Sequence, residues 1–564
     1  MITPLLSTLA LLFNSVFLSS YPDSWIPFIS CLPKKGKLFI PFVRGISLKQ
    51  LLAKLYDSIL KNRLTRWLKI PIEQTAYQKN KSVALHVFFV RCLISVCARL
   101  KLSLFIGVTD FEAAFDYISR RNLFIKLANL GIGMFLLNAL MEMYKVTEAY
   151  VYLNKEYSHE IFITAGVLQG SASSTLLFIA YTSDIITLFK KFFPLEELLH
   201  SYHILLHADD SLILATTKTS LIAKFKKLEE YCNLNNIKLQ PNKCCFLTIN
   251  SKETDSIVLE RGVINNKNEF FYLGSIITNL GNVTQDVKTE LKAKEKKFNK
   301  FFAFLAQNKE APLPVKEKVL ESCILSAVIY NCETWGDANL NELEMKYRDA
   351  LKRMLGVRKS TCNEFLYVEL GKPTLTSIIY RRQLKFYKDC MVNKDLPMQR
   401  FIIRKALDSK SSFIKHYLAL SRKYEDPDEI TKESLSNMVN TIREKANLNH
   451  SRYKSYLKLN PSLTRSGLYN RYLPYYKLRE VTRLKVISHN LEIDVGRYQF
   501  KNVNERLCSC GEIETEEHFL MQCCQYTHIR QKYLPPNLPL HVHLDSNYTP
   551  DLVYELQKCR DLYR

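Results

Sequence analysis

The sequence lacks several features that would assign it to familiar structural classes. No uninterrupted apolar run reaches the roughly 18 residues that a membrane-spanning helix needs, so we expect no membrane partner. No internal repeat of useful length occurs, which argues against a solenoid or a propeller. The 15 cysteines are odd in number and follow no disulfide-like rhythm, which indicates a reducing compartment inside the cell.

Acidic residues are few relative to basic ones. The chain has 79 Lys and Arg against 55 Asp and Glu, a net charge of +24. The basic residues are dispersed rather than gathered in one tail, which favours a nucleic-acid partner over a membrane surface. A basic protein without such a partner is the alternative. At 564 residues and 47% hydrophobic content, the chain should form several packed units.

The N-terminal segment, residues 4–20, is apolar and has the composition of a signal peptide, which leaves a secretory signal as one interpretation. No basic residue precedes it, however. Its large apolar side chains fit one helical face: Leu5, Leu9, Leu12 and Phe13. We therefore favour a helix docked on the protein.

Along the chain the pattern changes several times. Residues 1–100 suggest helices and loops, and residues 101–280 alternate short apolar strands with helical segments, as in an α/β layer. Residues 284–480 are predominantly helical in pattern. A small Cys/His unit follows at 505–530, and we expect the Pro-rich residues 535–550 to be loosely ordered.

Three aspartates stand at the ends of predicted strands. The apolar run 103–108 leads to Asp110, and the pattern of 203–216 predicts a β-hairpin with Asp209 and Asp210 at its tip. Neighbouring carboxylates repel one another unless cations neutralise them. Two-metal phosphoryl transfer uses this arrangement, and hard oxygen ligands favour Mg²⁺. An isolated Asp-Asp pair in a turn would be structural.

The chain resembles the reverse transcriptases of non-LTR (LINE-type) retrotransposons over most of its length. The resemblance rests on ordered motifs rather than on any one of them. They are YPDSW (21–25), KKGK (34–37), RGISL (44–48), KLYDSIL (54–60), TDFEAAFD (109–116), GVLQGSASSTLLF (166–178), HADD (207–210), LQPNKCCF (239–246) and FYLGSIIT (271–278).

The resemblance implies a role for each palm residue. Asp110 and Asp209 would bind two catalytic Mg²⁺ ions with the help of Asp210. Lys243 would protonate the leaving pyrophosphate, although a surface lysine is the more frequent interpretation of any single Lys. Phe115 would lie beneath the sugar of the incoming nucleotide and select deoxyribose; a core phenylalanine is the alternative.

Four further residues would contact the nucleotide or the template. Gln169 and Gly170 would let the backbone approach the template–nucleotide pair, whereas an ordinary turn would also explain them. Lys79 and Lys81 would act as point charges near the triphosphate.

The chain departs from the family pattern at several positions. His207 replaces the usual Tyr or Phe, Leu168 replaces an Arg, and Thr175 stands where Pro is common. The segment AYQKNKS (76–82) replaces a more basic fingers sequence. These changes weaken the expected grip on the triphosphate, while all three aspartates are retained. His203 and His207 alternate along a strand, and we expect both to pack rather than to bind metal.

Basic and aromatic residues recur after the palm. Segment 285–305 predicts a helix with one apolar face, and its lysines lie away from that face: Lys288, Lys292, Lys296 and Lys300. A solvated helical surface explains this pattern, and so does a thumb helix that follows the phosphates of a duplex. Between 452 and 483, tyrosines interleave with Arg and Lys: Tyr453, Tyr456, Tyr469, Tyr472, Tyr475 and Tyr476. This pattern suits base stacking and a tyrosine-rich core equally.

A Cys/His cluster near the C-terminus has the composition of a structural zinc site. Four candidate ligands, Cys508, Cys510, His518 and Cys523, lie within sixteen positions, with Cys524 as a spare. The single residue between the first two cysteines is a tighter spacing than usual. The segment resembles the C-terminal zinc-binding segment of the same retrotransposon polymerases, which implies one Zn²⁺.

We therefore predict an α+β right-hand polymerase followed by a mostly helical region and a zinc knuckle. The predicted divisions are fingers and palm (1–250), primer grip and thumb (251–350), helical connector (351–500), zinc segment (501–535) and tail (536–564). The resemblance implies RNA-templated synthesis of DNA from dNTPs on a DNA primer or target, in the nucleus and/or cytoplasm.

Two rival functions stay open from the sequence: a viral-type RNA-dependent RNA polymerase, and a decayed or domesticated element product that only binds RNA or DNA. Because the chain begins inside the fingers region, we expect any nicking activity to come from elsewhere or from a longer polyprotein.

Overall fold

The computed structural model describes residues 2–22, 25, 27–33, 43–112, 114–145, 148–153, 156–535 and 538–563. The KKGK motif (34–37) and part of the YPDSW motif lie outside the described residues. The chain divides into two compact units, residues 1–283 with 390–414, and residues 284–389 with 415–564. The predicted primer-grip segment therefore belongs to the first unit, and so does part of the predicted helical connector.

In the described part of the first unit, fifteen strands and eight α-helices occur before residue 283. The strands are β1 Phe28–Pro33, β2 Val43–Leu48, β3 Leu104–Thr109, β4 Phe111–Glu112, β5 Glu148–Leu153, β6 Glu156–Tyr157, β7 Ile161–Phe162, β8 Ile204–His207, β9 Asp210–Ala215, β10 Lys238–Leu239, β11 Cys245–Ile249, β12 Ile257–Leu259, β13 Gly262–Asn266, β14 Glu269–Tyr272 and β15 Ser275–Thr278. The helices are α1 Ile2–Leu18, α2 Leu51–Trp67, α3 Val83–Leu100, α4 Arg120–Asn129, α5 Met134–Lys145, α6 Ser174–Thr182, α7 Asp184–Phe192 and α8 Lys218–Leu234.

A six-stranded sheet in the order β12-β13-β11-β3-β9-β8 lies at the centre of this unit. β3 pairs antiparallel with β11 on one side and with β9 on the other. The two helices α8 and α3 contact these central strands, so the apolar strand residues are buried. At Gly107 a Cβ atom would lie 2.6 Å from the Phe225 ring of α8, so glycine is needed for this close packing.

The N-terminal segment is helical, as predicted, and α1 contacts α5 through a face that buries Phe13 and Val16. Among the described residues, α3 is one helix whose length and apolarity would allow it to cross a bilayer, and 78% of it is buried inside the protein. It carries the buried polar residues His86 and Arg91. The first unit also contains a second sheet in the order β2-β1-β5-β6, with β7 paired to β5.

A buried aspartate joins two distant motifs of the first unit. Asp57 of α2 is 1% exposed and accepts hydrogen bonds from the Ala172 nitrogen (2.7 Å) and the Ser173 hydroxyl (2.6 Å), with Lys49 Nζ at 3.3 Å. The Ser171 hydroxyl is a further donor. Burial raises the pKa of this carboxyl, but Lys49 and the hydroxyl and amide donors more than offset it, so the pKa of Asp57 is lowered.

The second unit is almost entirely helical. The helices that follow residue 283 include α16, which belongs to the first unit. The helices are α9 Val283–Glu295, α10 Phe298–Gln307, α11 Leu313–Val319, α12 Ser326–Val328, α13 Asn341–Leu355, α14 Asn363–Leu370, α15 Leu375–Val392, α16 Pro397–Asp408, α17 Ser412–Lys423, α18 Pro427–Asn447, α19 Ser451–Leu459, α20 Tyr475–Lys485, α21 Glu492–Tyr498, α22 Thr527–Tyr533, α23 Leu540–Leu544 and α24 Thr549–Tyr563. Short π-helices occur at Leu320–Leu325 and His518–Gln522.

The predicted lysine-bearing helix is present as two helices, α9 and α10, and all four predicted lysines are exposed. A fifth lysine, Lys294, turns inward, lies 3.4 Å from Glu290 and is buried. In the tyrosine-rich region Tyr456 and Tyr469 are buried, whereas Tyr472 is 76% exposed. The core interpretation therefore holds for the first two.

The expectation of loose order for residues 535–550 is wrong for the described residues 538–550, which form helix α23 and the start of α24 and bury His543 and Leu544. Helix α24 packs against α20 and buries Leu552 and Leu556. The Arg560 guanidinium, 3% exposed, binds the Glu514 carboxylate at 2.6 Å. Pro539 precedes helix α23 and Pro550 lies in the first turn of α24, so these two prolines stand at helix starts, and an apolar face and a buried ion pair hold α24 in place.

We predict that Asp57→Asn lowers the free energy of unfolding of the chain by about 3–5 kcal/mol, because Lys49 stays buried without its counter-charge. Because the pKa of Asp57 is lowered in the folded state, its contribution is present above the ordinary pKa of an aspartate and lost as the pH falls further. Urea unfolding at pH 7 and pH 3 measures both effects.

The exposed Asp408→Asn in the same unit is the matched control and should change the stability by less than about 0.5 kcal/mol. Equal stabilities of the two variants at pH 7 would contradict the role given to Asp57.

Candidate active site and metal centre

The β8–β9 hairpin carries two of the three aspartates. Its strands pair from Ile204↔Ile213 to His207↔Asp210, so the connecting loop is only Ala208 and Asp209. Ala208 has a φ of +56°, a left-handed conformation that the tight turn imposes at some cost to a residue with a Cβ. Asp209 therefore stands at the tip, and Asp210 begins β9; both are exposed.

Asp110 reaches the same edge of the sheet from β3. The register of the β3–β9 pair runs from Phe105↔Ala215 to Thr109↔Ser211, so its continuation sets Asp110 opposite Asp210. The Thr109 and Ser211 hydroxyls hydrogen-bond to each other on the opposite face of this pair. The hairpin geometry predicted from the sequence is thus present, and it brings the three carboxylates together.

The electrostatics of the three carboxylates agree with this proximity. Burial, followed by the charges of Asp209 and Asp110, raises the pKa of Asp210 to about 6. Asp110 Oδ2 is buried and accepts no hydrogen bond of acceptable geometry, although Lys243 Nζ lies 3.2 Å away. A set of carboxylate oxygens that repel one another fits a hard divalent cation such as Mg²⁺.

Lys243 is the last residue of the turn that connects β10 to β11. Its ammonium pairs with Asp110, and its side chain is 65% exposed. The backbone is held nearby, since the Gln240 nitrogen donates to the Asp110 carbonyl at 3.0 Å. The structure therefore puts Lys243 beside the carboxylates, where a cationic side chain could also reach a bound phosphate.

A segment that the sequence did not single out supports the Ala208–Asp209 turn. Gln74 forms a parallel bridge with Leu206, and its side-chain Oε1 accepts from the Ala208 nitrogen at 3.2 Å. The Thr75 hydroxyl lies 3.0 Å from Nδ1 of His207. Because the bridged residues are about 130 positions apart, no local pattern could have revealed the contact.

His207 and His203 are both enclosed by protein, in agreement with the expectation that they pack. A buried chain of polar atoms continues from Thr75 to His86 (3.5 Å) and from His86 to the Tyr272 hydroxyl (3.0 Å). Burial lowers the pKa of His86 to about 3, so this ring is neutral. Tyr272 belongs to the β14–β15 hairpin, the predicted primer grip, and these contacts connect that hairpin to the Ala208–Asp209 turn.

Phe115 lies on the loop that follows β4. Its ring stacks on Phe178 of α6 with centroids 4.5 Å apart and planes 14° apart, and it is half-buried. The Phe115 carbonyl accepts from the Val167 nitrogen at 2.9 Å. One face of the ring is therefore used in packing, and the partial exposure leaves another part available to a ligand.

Gln169 and Gly170 pack against β2. The side-chain amide of Gln169 donates to the Asp116 carboxylate at 3.0 Å. The backbone carbonyl of Gln169 accepts from the Ser47 nitrogen at 2.7 Å. Gly170 has a φ of +103°, and a Cβ there would lie 2.8 Å from the Ser47 carbonyl oxygen. The glycine is thus needed for contact with another strand of the protein, and Leu168, in place of the family arginine, is buried in the core.

Lys79 and Lys81, the two lysines predicted to lie near the triphosphate, differ in environment. Lys79 is exposed. Lys81 is half-buried, and burial lowers its pKa, opposed by the charges of Glu73 and Asp395. The sequence did not single out Tyr77. Burial raises the pKa of its hydroxyl, and the nearby charge of Asp209 raises that pKa further.

The four predicted zinc ligands converge in the second unit. Their ligand atoms lie within 4.8 Å of one another, with Cys508 Sγ 3.7 Å from Cys523 Sγ and Cys510 Sγ 3.2 Å from His518 Nε2. Zn–S bonds of about 2.3 Å at tetrahedral angles separate two sulfurs by about 3.8 Å, so the donor set fits Zn²⁺. Cys524 is exposed and outside the cluster.

Local hydrogen bonds shape this cluster. The Gly511 nitrogen donates to the Cys508 carbonyl at 2.9 Å, and the Cys508 nitrogen donates to the Glu512 carbonyl at 2.7 Å. Gly511, directly after Cys510, has a φ of +91°, which lets the chain turn back immediately after the two closely spaced ligands Cys508 and Cys510. The tight spacing noted in the sequence is therefore compatible with four convergent donors.

Comparison with known proteins gives matches consistent with this geometry. Residues 32–277 match the family described as Reverse transcriptase (RNA-dependent DNA polymerase). The chain is 24% identical over 220 residues to the Retrovirus-related Pol polyprotein from type-1 retrotransposable element R2 of Nasonia vitripennis, covering 39% of this chain and 21% of that protein. It is 23% identical over 409 residues to the Probable RNA-directed DNA polymerase from transposon BS of Drosophila melanogaster, covering 67% and 44%.

Among solved structures, a telomerase from Candida albicans in complex with a telomeric RNA fragment aligns with a TM-score of 0.38 and 13% identity, covering 74% of this chain and 67% of that one. The chain spans less than half the length of the two retrotransposon proteins. The predicted fold class, a polymerase of mixed α and β structure with a helical C-terminal region and a Cys/His cluster, is confirmed. The chain therefore contains a reverse transcriptase (RNA-dependent DNA polymerase) domain at residues 32–277, and its relatives are the polymerase proteins of non-LTR retrotransposons.

Proposed function

We propose that this chain copies RNA into DNA by extending a primer 3′-hydroxyl with dNTPs, through two-metal phosphoryl transfer at Asp110, Asp209 and Asp210. The observation that carries the proposal is the placement of Asp110 opposite Asp210 and beside the Asp209 turn, inside the residues that match the reverse transcriptase family. The raised pKa of Asp210 supports it, because it reports carboxylates held close together without a cation.

Each residue has a defined part in this proposal. Asp110, Asp209 and Asp210 would hold two Mg²⁺ ions, which when bound activate the attacking hydroxyl and stabilise the leaving oxygen. Lys243, 3.2 Å from Asp110, would donate a proton to the leaving pyrophosphate. Lys79 and Lys81 would attract the triphosphate as point charges.

The binding of substrates and partners is part of the same proposal. Gln169 would contact the template–nucleotide pair, with Gly170 fixing the loop against β2. The exposed lysines of α9 and α10 would contact the phosphates of an RNA template paired with a DNA primer. The four-ligand cluster would hold one structural Zn²⁺. We further propose an intracellular location, in the nucleus and/or cytoplasm, since the described cysteines are all free thiols.

Asp110→Asn and Asp209→Asn should each reduce extension of oligo(dT) on poly(rA) by roughly a thousandfold or more, about 4 kcal/mol of transition-state stabilisation. Asp210→Asn should have a smaller effect. Template–primer binding, measured by fluorescence anisotropy, should stay nearly unchanged because the metals serve chemistry more than docking.

The control for charge is Asp255→Asn, whose side chain is 94% exposed and lies outside the carboxylate site. Full extension by the Asp209 variant, or an equal loss in the Asp255 control, would remove the assignment of the carboxylates.

Phe115→Val should raise kcat/KM for rNTPs relative to dNTPs by about tenfold, or 1.4 kcal/mol, if the ring excludes a ribose 2′-hydroxyl. Phe178→Leu is the matched control, because it loosens the stack under the Phe115 ring without removing that ring. Steady-state kinetics with both nucleotides and a thermal melt separate the two roles.

A core role predicts that both variants lower the melting temperature and leave the rNTP/dNTP ratio as in the wild type. That result in an active, folded Phe115 variant would refute the sugar-selecting role.

Zinc should be present at close to one ion per chain and be lost in Cys510→Ser and in His518→Ala, with local unfolding around the cluster. Cys524→Ser removes an exposed cysteine outside the cluster and should retain the metal. Elemental analysis of reduced, tag-free protein makes the measurement. Zinc-free wild-type protein, or equal loss in the Cys524 variant, would contradict the four-ligand assignment.

A further inference from the structure

A second polar cavity lies in the first unit, apart from the carboxylates. It has a volume of about 500 Å³ and is lined by residues from 117–121, 164–165 and 232–238, together with Arg261. None of the three aspartates lines it, and neither do Lys243, Phe115 or Gln169. Its size falls within the range of small-molecule sites, roughly 300–1,000 Å³.

Three cations line this cavity: Arg121, Lys238 and Arg261. All three side chains are exposed, and none makes an ion pair within the part of the chain that the structure describes. No aspartate or glutamate is among the residues that line the cavity. Three positive charges thus face one space that no described carboxylate lines, which makes the space favourable to an anion.

The backbone around these cations is well held. Lys238 belongs to β10 and is paired in register with Glu112, and its ammonium lies 4.2 Å from the centroid of the Tyr117 ring. The Arg261 nitrogen donates to Glu229 Oε1 at 3.0 Å. The buried Glu229 carboxylate accepts from the Glu260 and Arg261 backbone nitrogens and, among the described residues, makes no ion pair with the Arg261 guanidinium.

A fourth basic residue forms a wall of the cavity. The Arg120 guanidinium donates to the carbonyl oxygens of Ile163 at 2.7 Å and Gly166 at 3.0 Å, and so fixes the segment that contains Thr164. Its donors are occupied by backbone carbonyl oxygens, so Arg120 serves as part of the wall rather than as a fourth ligand. The side-chain amides of Asn233 and Asn236 add neutral hydrogen-bond donors to the lining.

We propose that the Arg121–Lys238–Arg261 pocket binds a phosphate group, at a site separate from the carboxylates. Two guanidinium groups and one ammonium match a phosphate, because arginine donates to two oxygens at once and lysine adds a point charge. The phosphate comes either from a free ligand such as inorganic pyrophosphate or from the backbone of a single-stranded nucleic acid. The inference goes beyond the proposed polymerase reaction and does not depend on it.

The test compares two charge-matched triple variants of the full-length chain. The pocket variant is Arg121→Gln, Lys238→Gln, Arg261→Gln. The control variant, Lys54→Gln, Arg99→Gln, Lys226→Gln, removes three exposed positive charges of the same unit that do not line the cavity. Thermal melts establish that both are folded. Primer extension is measured in parallel, so failure of the carboxylate site is distinguished from failure of the pocket.

The first probe is inorganic pyrophosphate, titrated calorimetrically in Mg²⁺-free buffer. For a free ligand we expect binding at least about tenfold weaker in the pocket variant and changed less than twofold in the control. The second probe is a 20-nucleotide single-stranded RNA. For a backbone phosphate, the slope of log K against log salt should fall by about 2 more in the pocket variant than in the control.

Amine labelling of the wild-type protein, read by mass spectrometry, gives a measurement that needs no variant. Lys238 should be protected by whichever probe occupies the pocket, and Lys226 should not. Equal behaviour of the two triple variants with both probes, together with no protection of Lys238, would overturn the proposal.

Discussion

The pairing of β3 with β9 at the centre of the six-stranded sheet brings together residues about a hundred positions apart. Both strands are apolar and buried, and helix α8 lies so close to β3 that only glycine fits at position 107. The register is fixed by this burial, because a slip of one residue would turn every apolar side chain to the opposite face. The positions of Asp110 and Asp210 are a consequence of that register.

The sheet therefore places the carboxylates of Asp110, Asp209 and Asp210 close enough to repel one another. Burial and then the charges of Asp209 and Asp110 raise the pKa of Asp210, so an unneutralised carboxylate is disfavoured at this position. Burial of the strands supplies the stabilisation that opposes this cost, and the Lys243 ammonium neutralises part of it at Asp110. A site that is unfavourable without a cation is suited to binding one, since the metal relieves the repulsion that the fold maintains.

Buried polar contacts join the surrounding motifs to this site. Gln74 hydrogen-bonds the strained Ala208 turn, and Asp57 gathers the Ser171–Ser173 loop beside Gly170. In the second unit Asp494, fully buried, binds the guanidinium groups of Arg358 (2.9 Å) and Arg452 (2.8 Å). Such groups are costly if left unpaired, so each contact specifies how distant segments of its own unit meet.

Local chemistry explains which features could be predicted from the sequence. Strand periodicity and an Asp-Asp pair between two apolar runs predicted the hairpin of Asp209 and Asp210 and the strand that ends at Asp110, because these are properties of neighbouring residues. The spacing of Cys508, Cys510, His518 and Cys523 predicted the metal cluster for the same reason. Their roles in catalysis and zinc binding stay predictions.

The tertiary structure decided what depends on residues far apart in the chain. Tyr456 is buried against Glu369 while Tyr472 is exposed, although both stand in the same Arg- and Tyr-rich pattern. The contact of Gln74 with Ala208, the hydrogen bonds of Asp57 and the docking of α24 through Arg560 are equally non-local. The sequence by itself determined the strands, the charges and the clustered ligands. Only the tertiary structure decided which side chains are buried and which buried polar groups are paired, because the free energy of burying a polar side chain depends on the group that it contacts in the folded protein.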